Sequence, residues 1–279
     1  APNWIGIRVM INKTELDLNQ CKVTDFKRVL HMKEGFLLRS FKAELSSGDQ
    51  IKVEALRFLS LDLNEVGAIK YTVTPLNFDG EITYIPYIDA GIMNEDANYD
   101  EFFWEIENIR QDKDEAFILS KTLKTGFYVS TGMKMAFSLN DIEIPLEYEV
   151  EVQEKSISYT YQSYVKKNDS FTIYKFGGYT QSMNYPKEEL LFASQKALQK
   201  AMIIGFDNLL EKQKLAWEKI WDTADIVIEG DLLGQQAIRF NIFQLNQTYS
   251  GEDARLNIGP KGFTGEKYGG STYWDTEAY

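Results

Sequence analysis

Histidine and cysteine are nearly absent from this 279-residue chain: His31 and Cys21 are the only ones. One cysteine forms no intramolecular disulfide. One of each is too few for a zinc site built on two or more such ligands. The shortage of thiols fits a reducing compartment, and the expected location is cytoplasmic. Basic charge is also short, with 30 Lys and Arg against 42 Asp and Glu for a net charge of -12. Nucleic acid and an anionic membrane surface are therefore not the expected partners, since both are held by basic patches. No apolar run approaches the ~20 residues that span a bilayer. No basic start followed by an apolar core reads as a signal peptide. The sequons at Asn12, Asn168 and Asn246 are read as chance.

What is present is apolar and β-prone. Hydrophobic residues make up 44% and aromatic residues 14%, enough for a large core. Up to about residue 180 the pattern is one of short strands rich in Val, Ile, Thr, Tyr and Phe. Ile51-Lys-Val-Glu-Ala alternates with Ile51, Val53 and Ala55 on one face. Further strands are expected at Ile5–Ile11, Phe36–Leu45, Val66–Val73, Glu81–Ile88, Phe102–Ile109, Ala116–Leu119, Phe127–Leu139, Leu146–Val152, Ser156–Tyr164 and Phe171–Phe176. Gly48-Asp49 and Phe78-Asp-Gly80 mark turns. No internal repeat suggests a propeller or solenoid. The fold class is mainly β, a large antiparallel β-sandwich.

Near Pro186 the period changes from two to 3.6. Pro186-Lys-Glu-Glu fits a helix start. Leu190, Ala193, Ala197, Ala201 and Ile204 fall on one helical face, and Gly205 ends it. Phe206, Leu210, Trp217 and Trp221 share a face of a second helix, where tryptophans at such spacing read as packing. Ile226-Val-Ile-Glu229 reads as a short strand. Asp231 is the expected N-cap of a third helix, Leu232 to about Thr248, with Ile238, Ile242, Leu245 and Tyr249 on one face.

Several motifs fail on inspection. Asp96, Asn98 and Asp100 start like a calcium loop, but Glu101 stands where Gly is required and no Glu occupies the twelfth position. Gly265-Glu-Lys-Tyr-Gly-Gly270-Ser lacks the lysine of a phosphate loop. His31 and Cys21 imply no third group for a thiol nucleophile and read as structural.

The last stretch, GEDARLNIGPKGFTGEKYGGSTYWDTEAY from Gly251 to Tyr279, holds six of the 19 glycines. Its glycines permit close approach to a ligand. Its aromatics and carboxylates suit a sugar, offering apolar faces and acceptors for hydroxyls. By composition alone a surface loop is the simpler reading. Its wording, however, resembles the signature of glycoside hydrolase family 65, the inverting disaccharide phosphorylases. Trp217-Glu-Lys-Ile-Trp221, Asp225-Ile-Val-Ile-Glu-Gly-Asp231 and Gln235-Gln-Ala-Ile-Arg-Phe-Asn-Ile-Phe-Gln-Leu245 continue the resemblance. It is specific from about residue 186 onward. Before that it rests on Ala-Pro-Asn-Trp-Ile-Gly at the start and on the run of strands.

The resemblance implies a β-sandwich domain at 1–180, a helical linker at 181–224 and, at 225–279, the first segment of an (α/α)6 catalytic barrel. Family members extend beyond both ends, so the chain is expected to be a fragment, inactive by itself. The implied substrates are phosphate and a glucosyl disaccharide. Maltose leads, and trehalose, kojibiose and nigerose are alternatives. No metal or other cofactor is implied, and the parent is expected to be a homodimer. The implied glucosyl-binding residues are Trp274 and Asp275, the ring bordered by the indole and its hydroxyls bonded to the carboxylate. Asp275 also reads as an N-cap, and the two roles are compatible. Tyr268 and Tyr273 are core or pocket, and Glu266 and Lys267 are positioners or a solvated ion pair. The family's catalytic acid lies downstream of the Trp-Asp pair, so no catalytic residue is assigned. A non-catalytic module, binding carbohydrate or mediating dimerisation, is the alternative of a different class.

Overall fold

The computed structural model describes residues 1–93, 102–256 and 258. They form fourteen strands and then three α-helices, and the chain divides into two compact units. The first holds residues 1–31, 36–92 and 103–213. The described part of the second comprises residues 32–35, 93, 102, 214–256 and 258.

The first unit contains two antiparallel sheets. The smaller joins β12 (Tyr148–Val152), β13 (Ser156–Val165), β7 (Gly80–Asp89), β1 (Ile7–Ile11) and β2 (Thr14–Glu15), in that order. The larger runs β3 (Lys22–His31), β4 (Phe36–Glu44), β5 (Gln50–Leu59), β6 (Val66–Pro75), β14 (Phe171–Gln181), β10 (Tyr128–Leu139), β9 (Glu115–Thr122) and β8 (Trp104–Asp112). A short β11 (Ile142–Glu143) adds to β10. The main core combines Val9, Ile11, Ile82, Tyr84, Ile88, Ile157, Tyr159 and Tyr161 of the small sheet with large-sheet residues such as Phe41, Val53, Val73, Ile118, Phe137 and Phe171. Tyr84 is fully buried, and its hydroxyl donates to the Phe171 carbonyl at 2.7 Å. The antiparallel sandwich is therefore as the sequence implies.

The large sheet is covered on its other face too. Phe36, Phe58, Ala68, Phe117 and Phe176 pack there with Leu198 and Ala201 of α1 (Leu190–Ile204) and with Phe206 and Leu209 at the start of α2 (Phe206–Ala224). A strand buried on both faces loses polar alternation. Hence Val66-Gly-Ala-Ile and Phe171-Thr-Ile read as nearly continuous apolar runs.

Three expectations need correction. Strand β3 is absent from the expected set because it is a mostly exposed edge strand whose register shifts between Thr24 and Lys27. Asp25 there takes a positive φ of 54°, so the polar alternation breaks mid-strand. On α1 the expected face is shifted in part: Leu190 and Ala201 of it are buried and Ala197 and Ile204 pack beside them, but Ser194 and Leu198 complete the buried stripe. Thr180 Oγ1 donates to the Leu190 carbonyl at 3.0 Å, which fixes where the helix begins against the sheet. The strand expected at Ile226–Glu229 does not form, for a reason given below. Gly205 does end α1, at φ 80°.

Trp4, in the Ala-Pro-Asn-Trp-Ile-Gly opening, is buried against two strands. Its indole occupies a slot left by Gly67 of β6 and Gly177 of β14. A Cβ on Gly177 would stand 2.2 Å from Trp4 Cε3 and 3.0 Å from the Gly132 carbonyl oxygen. Asn3 holds the same segment, its amide donating to the Asp89 carbonyl at 2.7 Å. Gly177→Ala is expected to destabilise the fold by ~1–3 kcal/mol through overpacking, with the Trp4 fluorescence shifted to the red. An unchanged urea midpoint and spectrum would rule out the slot.

Lys175 of β14 is fully buried. Its Nζ donates to the carbonyls of Gly6 at 2.7 Å and Tyr87 at 2.9 Å, with the Tyr87 ring centroid at 5.8 Å. Burial holds its pKa well below the usual lysine range. The unfolded chain therefore binds this proton between the lowered value and the ordinary ~10.4, and stability rises with pH across that window. As pH rises toward ~10.4, the stability of the wild type minus that of Lys175→Met is expected to grow in urea titrations. A difference that stays constant with pH would show that Lys175 is not desolvated in this way.

Candidate functional site

Trp274 and Asp275 lie outside the described residues, as do Tyr268, Tyr273, Glu266, Lys267 and the acidic loop at Asn94–Glu101. What the structure provides is the scaffold from which that stretch emerges.

That scaffold belongs to the second unit. Trp217 is buried between Phe243 of α3 (Leu232–Thr248), with ring centroids 4.5 Å apart, and Trp221, at 6.1 Å. Trp221 Nε1 donates to the Met32 carbonyl at 3.2 Å. The two tryptophans are thus packing residues, as their spacing implies. Phe243 is the buried residue of α3, not the expected face of Ile238, Ile242, Leu245 and Tyr249. The aromatic ring that meets Trp217 decides the helix rotation. Leu232, 89% exposed, and its neighbour Leu233 stand on the outside.

Asp231 caps α3 as expected, its Oδ1 accepting from the Gly234 amide at 2.9 Å. Gln235 explains the missing strand. Its Oε1 accepts from the Ile228 amide at 2.7 Å, and its Nε2 donates to the Ile226 carbonyl at 2.8 Å. One side-chain amide thereby supplies the donor and acceptor that a neighbouring strand would offer. One turn later Arg239 grips Asp225 through two bonds of 2.8 and 2.7 Å, which lowers the pKa of that carboxyl. Gln235 and Arg239 belong to no chemical motif; their i, i+4 spacing is the only sequence sign of a joint role. Beyond α3, Tyr249 donates to the Asp253 carbonyl at 3.2 Å, and Arg255 beside Asp253 holds that carboxyl down at about 2.

Two further polar clusters could suggest chemistry. Glu115 is buried and accepts from Lys134 Nζ at 2.6 Å and Gln195 Nε2 at 2.9 Å, while Tyr159 donates to its backbone carbonyl at 2.6 Å. Burial works against the Lys134 charge, but Glu115 and Asp114 outweigh it and raise its pKa. With both Glu115 oxygens engaged, this network ties α1 to β9 and β10 instead of delivering a proton. Cys21 has its thiol pKa raised by burial and by Asp17, the opposite of a reactive thiolate. His31 stacks on Phe36 at 4.3 Å. Both fit the structural reading. Among the described residues no group of three or more His, Cys, Asp or Glu is arranged to hold a metal ion. Among them, too, no helix is long and apolar enough to cross a membrane.

Comparison with known proteins places this architecture. Residues 1–220 match Glycosyl hydrolase family 65, N-terminal domain, and residues 239–279 match the Glycosyl hydrolase family 65 central catalytic domain. The chain is 38% identical over its whole length to the maltose phosphorylase of Bacillus subtilis (strain 168), covering 36% of that protein. It is 31% identical to the alpha,alpha-trehalose phosphorylase of Thermoanaerobacter brockii, with 98% of the chain and 36% of that protein covered. A solved structure, a proposed kojibiose phosphorylase from human microbiome, superposes with a TM-score of 0.89 at 25% identity, covering 100% of this chain and 36% of that one. The chain thus spans little more than a third of the length of these relatives. With a family match over most of its length, the chain belongs to glycosyl hydrolase family 65.

Proposed function

We propose that the whole protein containing this chain is an inverting disaccharide phosphorylase that converts maltose and phosphate into β-glucose 1-phosphate and glucose. The observation that carries this reading is the 38% identity to a maltose phosphorylase across all 279 residues. The trehalose phosphorylase follows at 31%, and a kojibiose phosphorylase from Caldanaerobacter subterraneus subsp. tengcongensis at 29%.

In this reaction one carboxylic acid gives its proton to the bridging oxygen as the glycosidic bond breaks. Phosphate attacks the anomeric carbon from the opposite face, taking the place of the water that an inverting hydrolase activates. No residue of this chain is assigned as that acid. Trp274 and Asp275 are assigned to glucosyl binding, the indole against the sugar ring and the carboxylate accepting from hydroxyls. Phosphate is a co-substrate, and no metal or other cofactor takes part. The chain is divided into a sandwich domain at 1–180, helices at 181–224 and the start of the catalytic barrel at 225–279. The whole protein is assigned to the cytoplasm, as a homodimer.

Trehalose or kojibiose as the disaccharide is the second reading, favoured by the superposition on the proposed kojibiose phosphorylase. Incubating the whole protein with each disaccharide, with and without phosphate, separates the two readings. Maltose cleavage that needs phosphate and releases β-glucose 1-phosphate is expected. Phosphate-independent cleavage, or no cleavage of maltose, trehalose, kojibiose or nigerose, would overturn the phosphorylase reading. Asp275→Asn in the whole protein is expected to lower kcat/KM for the disaccharide by ~10- to 100-fold, the loss of a charge-assisted hydrogen bond. Unchanged kcat/KM would remove Asp275 from the sugar site.

A further inference from the structure

Arginine is concentrated on one face at the β3–β4–β5 end of the large sheet. Arg28 of β3 stands directly opposite Arg39 of β4. Ala55 of β5 is the residue opposite Arg39, and Arg57 is opposite Leu37, so Arg57 is the diagonal neighbour of Arg39 on the same face. Arg28 and Arg57 are exposed, and Arg39 is partly exposed. Arg39 is held from below, its guanidinium 5.6 Å from the Phe41 ring centroid.

Like charges directly opposite one another on a sheet are destabilising. Partial burial, then the charges of Arg28 and Arg39, lower the proton affinity of Arg57; no carboxylate is among the groups acting on it. Two nearby lysines are treated differently. Lys42 pairs with Asp25 at 2.8 Å, and Lys52 with Glu54 at 2.8 Å. Among the described residues no salt bridge is made by Arg28, Arg39 or Arg57. In a chain with twelve more acids than bases, a cluster of cations with no ion pair among the described residues is a specific arrangement.

We propose that Arg28, Arg39 and Arg57 form a binding site for a phosphate-bearing small molecule. Guanidinium forks match phosphate oxygens in pairs, which neither a chloride ion nor a lysine cluster reproduces. A dianion seated among the three removes the repulsion they exert on one another. The ligand is inorganic phosphate itself or a hexose phosphate, which share the group that is recognised.

The purified chain is titrated by calorimetry with inorganic phosphate and, separately, with a hexose phosphate, at constant ionic strength set with KCl. Melting temperatures are recorded alongside. Saturable one-to-one binding and a ligand-dependent rise in Tm are expected, and the tighter of the two ligands identifies the source. Arg28→Gln and Arg57→Gln should each weaken binding at least ~10-fold, the worth of one charge-assisted contact. Lys52→Gln should leave it unchanged. Without ligand, Arg28→Gln should raise Tm by relieving the cross-strand repulsion, a gain that a purely structural arginine would not show. No saturation by ~10 mM of either ligand, beyond the weak end of useful affinity, overturns the proposal. So does binding that both arginine variants retain. Self-association abolished by these variants, without phosphate binding, makes the patch a contact between copies and also overturns it.

Discussion

The double-sided burial of the large sheet is the constraint on which the first unit depends. Strand β14 lies between β6 and β10, with the inter-sheet core on one face and α1 with the start of α2 on the other. Neither face can tolerate a charge without internal partners. The buried acid and the buried lysine, Glu115 and Lys175, are answered by Lys134 and Gln195 in one case and by two backbone carbonyls in the other. Helix α1 is therefore an integral layer of the first unit. Its short polar residue Ser194 lies in the buried stripe.

The two ends of one strand row show how coverage decides chemistry. Arg57, Ile69 and Lys175 are consecutive partners across β5, β6 and β14. Lys175 is enclosed and bonded to backbone oxygen. Arg57, two strands away, is exposed beside two other guanidinium groups. The same inward-facing position is a desolvated clamp in one place and an open cationic surface in the other. Which it becomes depends on whether the smaller sheet lies over it.

Much of this architecture was legible in the chain. Period-two runs such as Ile51–Phe58 and the change of period near Pro186 mark the sandwich and the helices that follow. Gly205 and Asp231 mark a helix end and a helix start through local backbone chemistry. The Trp-Asp tail carries a family signature in its wording. Other features resisted reading for physical reasons. β3 is a bulged edge strand with little apolar pattern to detect. Ile226–Glu229 has strand composition but finds its hydrogen bonds in Gln235, whose partners cannot be inferred from spacing. The burial of Phe243 instead of the Ile238 face follows from where Trp217 lies.

Local sequence specified the class of fold, the helix punctuation, the family and the acidic, cysteine-poor character that leaves no disulfide within this chain. These follow from local periodicity, capping and composition, which act within a few residues. Long-range packing settled which strands are buried on both faces, which glycines leave the slot for Trp4, and which arginines are brought together with no ion pair among the described residues. Those outcomes depend on pairings between positions distant in the chain. Residues 28, 39 and 57 become neighbours only once β3, β4 and β5 are in register.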